Sequence, residues 1–260
     1  MTDNPIPELA SHASASTADI VTLLTTTFEK LSGDESYREG MHRAVPGARA
    51  VYGVRVPQLR AIARQVNKAF GKQVEAIAEG CWKIGSREHC VLAILMLAGL
   101  KTLTPTQRWR LGTGYLPEVG DWETCDQLCM GLLGQALVED PVYMQDLEDW
   151  GDDPNVWVRR AALASTVVLR RSKLAPEIRN SLDKRTLGIC LHLLDDEEHY
   201  VRKAVDWAVR EVIRRDYALG KAWLMERSQT SLSLVARSTL KKAAKKLTPR
   251  NQEQFLHNLS

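Results

Sequence analysis

Trp122 and Asp126 stand four residues apart in the segment Val119-Gly-Asp-Trp-Glu-Thr-Cys-Asp126. The segment follows a Pro/Gly break and runs into an apolar stretch from Leu128 to Leu137, which marks the start of a helix. Residues i and i+4 of a helix share a face, so the indole and the carboxylate point the same way. A carboxylate in a partly water-excluded cleft can stabilise positive charge that develops in a transition state, or orient an attacking water. An indole beside it offers a flat apolar surface. Downstream, Trp157-Val-Arg-Arg-Ala-Ala162 and Val201-Arg-Lys-Ala-Val-Asp-Trp207 add guanidinium groups and further indoles. A planar guanidinium fork suits phosphate oxygens.

Each of these residues also has a structural reading. Trp122 can anchor a core, and Asp126 can serve the helix dipole from the first turns. Trp207 follows the apolar stripe Val201, Ala204, Val205 and Ala208, and Arg160 can pair with an acid such as Asp153.

The elements that position them are helices. Helical periodicity runs through nearly the whole chain and strand alternation is nearly absent. Breakers at Gly33, Pro46–Gly47, Gly71, Gly85, Pro105, Pro117–Gly120, Pro141, Gly151–Pro154, Pro176, Gly220 and Pro249 separate stretches of ordinary helix length. Asp153-Pro-Asn-Val-Trp-Val-Arg-Arg-Ala-Ala matches Asp196-Glu-Glu-His-Tyr-Val-Arg-Lys-Ala-Val, 43 residues on. Fainter copies are Glu88-His-Cys-Val-Leu-Ala-Ile and Leu234-Val-Ala-Arg-Ser. A period near 40 with two helices per unit lies in the HEAT/armadillo range, with the Asp capping a helix start and the Ala allowing close packing. The expected fold is therefore all-α: a HEAT-like α–α superhelix of about six helical pairs, forming one domain over 18–260 after a flexible tail over 1–17. Successive second helices would line a concave face with Arg159, Arg160, Arg202, Lys203, Arg210, Arg214, Arg215, Lys241, Lys242, Lys245 and Lys246, a basic groove for a polyanion.

Charge supports that placement. The net charge is only +3, but from Val201 to Arg250 thirteen Lys/Arg face four acids, while Glu139 to Asp153 holds seven acids and no Lys or Arg. The five cysteines (81, 90, 125, 129, 190) lack CxxC spacing and sit in apolar helical patterns, which reads as buried free thiols of a cytoplasmic protein. His192 and His199 flank Asp195-Asp-Glu-Glu198, but the repeat explains that run as an inter-helix turn, so no metal is expected. Residues 1–17 have neither a basic n-region nor an apolar h-region, and no stretch approaches eighteen apolar residues. Nucleotide, zinc-protease and hydrolase motifs are absent.

In combination these residues resemble the AlkD-like DNA alkylation repair proteins, HEAT-repeat DNA glycosylases, over roughly Ser36 to Leu247. Tyr52-Gly-Val-Arg-Val-Pro-Gln-Leu-Arg60 is similar to the family's N-terminal signature, and Trp122 and Asp126 match its W-x-x-x-D site. The resemblance implies that Asp126 is the catalytic carboxylate, that Arg160 approaches the DNA backbone beside it, and that Trp207 is the second cleft tryptophan. Arg159, Arg202 and Lys203 would add DNA contacts. A cationic N3- or N7-alkylated purine is already a good leaving group, so the enzyme must chiefly stabilise oxocarbenium character on the deoxyribose. The implied partner is double-stranded DNA with alkylated bases, bound by a monomer without cofactor, metal or membrane, and without a deep base pocket. One position departs: members carry a Tyr in the helix before the signature, where this chain has Gly40-Met41-His42-Arg43, with Tyr37 and Tyr52 as the nearby alternatives. A non-catalytic DNA-structure-binding relative and a HEAT scaffold for an acidic protein partner are the alternative functions.

Overall fold

The computed structural model describes residues 15–259, and within them the chain is helical without a strand. The stretch 1–14, most of the expected tail, lies outside the described residues. Ser16 and Thr17 belong to the first helix: α1 (Thr17–Leu31) opens on a reciprocal box in which the Ser16 hydroxyl accepts from the Asp19 N–H and the Asp19 carboxylate accepts from the Ser16 N–H. The described residues divide into two compact units, 15–111 with 118–132 and 112–117 with 133–259.

The first unit holds α1, α2 (Glu35–Ala44), α3 (Val56–Phe70), α4 (Val74–Ile84), α5 (Arg87–Ala98), the first part of α6 (Pro105–Tyr115), and α7 (Trp122–Leu128). In α5, Val91, Leu92, Ala93, Ile94, Met96 and Leu97 are all fully buried. A helix apolar on every side needs neighbours on every side, and α3, α4 and α7 pack around it. His89 of the same helix is buried as well. Its Nδ1 lies 2.7 Å from Ser86 Oγ and its Nε2 3.0 Å from Thr25 Oγ1, with Phe28 and Tyr52 against the ring.

The second unit holds α8 (Gly134–Glu139), α9 (Met144–Asp149), α10 (Val156–Ala164), a 3-10 run over Ser165–Arg171, α11 (Pro176–His192), α12 (His199–Arg215), α13 (Tyr217–Arg227), α14 (Leu234–Ala243) and α15 (Pro249–Asn258). Its hub is α12, whose stripe Val201, Ala204, Val205, Ala208, Val209 and Val212 is buried against α10, α11, α13 and α14. Gly220 does not break a helix, as the sequence suggested, but lies inside α13. The helix starts instead at Asp216, which caps the Leu219 N–H, and a Cβ at Gly220 would stand 2.6 Å from Ile213 Cγ1. Close approach of α12 and α13 is what requires glycine there.

The 43-residue repeat is visible as a shared bonding pattern. Arg159 donates to the carbonyls of Asp153 and Pro154, six and five residues back; Arg202 donates to those of Asp196 and Glu197 at the same offsets. Asp153 accepts from the Asn155 N–H and Asp196 from the Glu198 N–H, each two residues on. These aspartates form turns that lead into the helices; the cap positions themselves are Asn155 and Glu198, two residues later than the sequence suggested.

His89 makes stability depend on pH. Burial pushes its pKa down from 6.5 to about 4, so between those values the unfolded chain binds a proton that the native chain refuses. Stability is then highest above pH 6.5 and falls as the pH drops toward 4, by on the order of 3 kcal/mol. Urea unfolding of wild type and His89→Gln across this range should show the extra loss in wild type only; equal pH profiles would remove His89 as its source.

Candidate active site

The helix that carries Trp122 and Asp126 is fixed from its first residue. Asp121 is the cap of α7, and its carboxylate accepts from the Thr124 N–H (2.8 Å) and hydroxyl (2.7 Å). Burial raises the Asp121 pKa, opposed by those two hydrogen bonds. Just before it, Gly120 meets Gly47: a Cβ on Gly47 would lie 2.1 Å from the Gly120 carbonyl oxygen, and Gly47 has φ +103°. Both the space and the backbone angle require glycine.

The half-buried Trp122 donates its indole N–H to the carbonyl of Ala44, the last residue of α2, at 2.7 Å. Asp126 is 8% exposed, so its carboxylate is almost withdrawn from solvent while keeping an opening to it. Beyond Leu128 the helix widens into a π turn over Cys129–Leu133, a distortion frequent near functional sites.

Between these two residues Glu123 points inward and holds α7 to the rest of its unit. Arg87 donates Nε and Nη2 to the two Glu123 carboxylate oxygens at 2.6 and 2.8 Å, and Nη1 to Glu88 and to the Val54 carbonyl at 2.9 Å each. Glu88 in turn accepts from the backbone N–H groups of Tyr52, Gly53 and Val54 at 2.9, 2.9 and 3.2 Å. One buried network thus ties the Tyr52-to-Arg60 signature, α5 and α7 together. Burial works against the charge on Arg87, but the Glu123 hydrogen bond and the charges of Glu123 and Glu88 outweigh it and hold the pKa above its ordinary value. The sequence reading did not single out Arg87 or Glu123; adjacent opposite charges at the start of an apolar helix were the available signal.

In the second unit, Arg160 is 5% exposed and donates Nη1 to the Tyr200 carbonyl at 2.5 Å. Arg159 is engaged by Asp196 (2.7 Å) besides its two loop carbonyls. Arg202 is held by its own loop, Lys203 is exposed with its ammonium 5.8 Å from the Tyr200 ring, and Trp207 is half-buried on α12. Trp157 and Tyr200, equivalent in the repeat, pack against each other with ring centroids 5.2 Å apart and planes tilted by 41°. Counted from the first helical residue, Asp126 in α7, Arg160 in α10 and Lys203 in α12 each stand fifth. Asp126, Arg160 and Lys203 therefore share one register of their helices, Asp126 in the first unit and the other two in the second.

A family model described as DNA alkylation repair enzyme matches residues 24–247. The chain belongs to that family. Membership carries a role in DNA repair, as an enzyme of alkylation repair with DNA as its substrate. A solved structure described as a predicted DNA alkylation repair enzyme from Enterococcus faecalis is similar at 18% identity and a TM-score of 0.65, over 83% of this chain and 97% of that one. At that identity the likeness speaks for the fold. A designed armadillo repeat protein in complex with a (KR)4 peptide is similar at 17% identity and a TM-score of 0.32, over 93% of this chain and 90% of that one. No curated protein matches.

Among the described residues of this family member, no helix is long and apolar enough to cross a membrane, and no group of three or more His, Cys, Asp or Glu could hold a metal ion. His192 bonds Asp152 at 2.8 Å instead. Of the cysteines, burial pushes Cys81 and Cys90 up to about 12 and Cys190 higher still, so these thiols are poor nucleophiles. At the departure from the family pattern, Met41 is half-buried and His42 and Arg43 are exposed in the last turn of α2. Tyr37 lies under the Arg55 guanidinium at 4.1 Å, and Tyr52 packs on Phe28 and His89.

Removing one member of the buried network leaves the others unpaired. Arg87→Met should destabilise the protein by about 3–5 kcal/mol in chemical denaturation. A cost under about 1 kcal/mol would show that the network does not hold α7.

Proposed function

We propose that this chain is a DNA glycosylase that releases cationic N3- or N7-alkylated purines from duplex DNA, with Asp126 as the electrostatic catalyst. The observation that carries the proposal is the setting of Asp126, a nearly buried carboxylate on a capped helix, one turn from a half-exposed indole, in a member of the DNA alkylation repair family. Low local polarisability strengthens the attraction between that carboxylate and a developing oxocarbenium ion. The positive charge on the purine makes it a ready leaving group, so no strong general acid is required. Trp122 and Trp207 would pack against the sugar–phosphate at the lesion. Arg160 would fix the backbone, exchanging or sharing its bond to the Tyr200 carbonyl with a phosphate oxygen. Lys203 would add a phosphate contact, whereas Arg159 and Arg202 would act mainly by holding the loops before α10 and α12. The protein would work as a monomer without cofactor.

A second reading, DNA binding without base release, is favoured by one observation: both nearby tyrosines are already engaged, Tyr37 by Arg55 and Tyr52 by Phe28 and His89. Release of free alkylated base from methylated duplex DNA separates the two. Wild type should release base, and Asp126→Asn should lower the rate by about 10²–10³-fold with DNA affinity changed by less than about twofold. Release by Asp126→Asn at the wild-type rate would remove the carboxylate from the chemistry. No release by wild type, with retained binding, would leave the second reading.

A further inference from the structure

Several arginines in the C-terminal fifth are already paired with acids. Arg210 pairs with Asp206 at 3.0 Å, Arg214 with Glu211, Arg215 with buried Asp183 at 2.7 Å, and Arg227 with Glu226. Lys203 and Lys242 are exposed and neither is ion-paired among the described residues. Both line one cavity of about 240 Å³ between α12 and α14, together with His199 and Arg202. Its one acid, Asp206, is occupied by Arg210. The other wall is the first turn of α14, where Leu234 is 84% and Val235 41% exposed. That turn is the positive end of a ten-residue helix.

We infer that this cavity binds a phosphodiester of the duplex DNA backbone, with Lys203 and Lys242 on the phosphate and Leu234 and Val235 against the adjoining deoxyribose. The inference deepens the proposed function by naming a backbone anchor for the same substrate, and it rests on that reading only in taking DNA as the ligand. Cations alone would suit any anion. An apolar wall of two exposed aliphatic side chains facing the cations suits one that carries an apolar ring next to its charge, which is the make-up of a sugar–phosphate unit. The field at the cavity is positive: the His199 pKa is lowered by burial first and then by Lys203, Arg202, Lys242 and Arg160. Lys203 lies with its ammonium 5.8 Å from the Tyr200 ring, which packs against Trp157.

The test is the salt dependence of affinity for an undamaged duplex oligonucleotide, measured by fluorescence anisotropy. Neutralising one phosphate contributes about 0.9 to the slope of log K against log salt, so Lys203→Gln/Lys242→Gln should lower the slope by about 1 or more. Lys72→Gln/Lys173→Gln, which removes the same charge from exposed positions elsewhere, should not. Leu234→Ser should weaken binding several-fold at every salt concentration while leaving the slope alone, because it removes only apolar contact. Leu234 is so exposed that the substitution leaves folding intact. An unchanged slope in the Lys203/Lys242 variant, or an equal drop in the Lys72/Lys173 variant, would overturn the assignment. Loss of slope without any effect of Leu234→Ser would reduce the site to a general anion contact and overturn the sugar–phosphate assignment. These readouts do not require base release. A wild type that releases no base but shows the slope change would sink the glycosylase reading alone; a wild type that releases base with an unchanged slope would sink this inference alone.

Discussion

The first unit depends on a single buried charge network. Arg87, Glu88 and Glu123 have side chains at most 10% exposed, and the three are joined by hydrogen bonds of 2.6–2.9 Å. Burying one guanidinium and two carboxylates costs more than the Coulomb attraction returns unless nearly every donor and acceptor is met. Here they are met, by each other, by the Val54 carbonyl and by three consecutive backbone N–H groups. Such an arrangement fits one geometry only. It sets the angle at which α7 leaves the core, and so the direction of the face carrying Trp122 and Asp126.

The second unit solves a different problem with the same groups. Its helices recur at 43 residues, and each recurring arginine straps the turn before its own helix by bonding carbonyls six and five residues back. Arg159 also reaches Asp196 of the next copy, which links neighbouring repeats. Positive charge invested in these straps and in pairs such as Arg215–Asp183 is no longer free for a ligand. The basic character of the C-terminal fifth is therefore narrower at the surface than in the sequence, and it is carried mainly by lysines.

Much of this was legible beforehand because it rests on local rules. Helical period and the spacing Asp153/Asp196 follow from hydrogen bonding within a few residues, and so does the shared face of Trp122 and Asp126. Gly220 was misleading because a glycine that ends a helix and one that admits a neighbouring helix look alike in sequence. Arg159 and Arg202 stood beside Arg160 as equals, yet they are bonded into loops while Arg160 reaches across to the backbone of α12. The partner of a long side chain is set by what the fold brings within 3 Å of it.

By itself the sequence determined an all-helical repeat protein of the DNA alkylation repair family, the shared face of Trp122 and Asp126, and the equivalence of Arg160 and Lys203 in the repeat, since periodicity acts over short stretches. Only the tertiary structure decided which charges are satisfied inside. It buried Glu123 against Arg87 between two half-exposed or barely open functional side chains, and it left Lys203 and Lys242 together at one cavity. Those outcomes depend on desolvation and on contacts between residues 35 to 45 positions apart, which no local rule encodes.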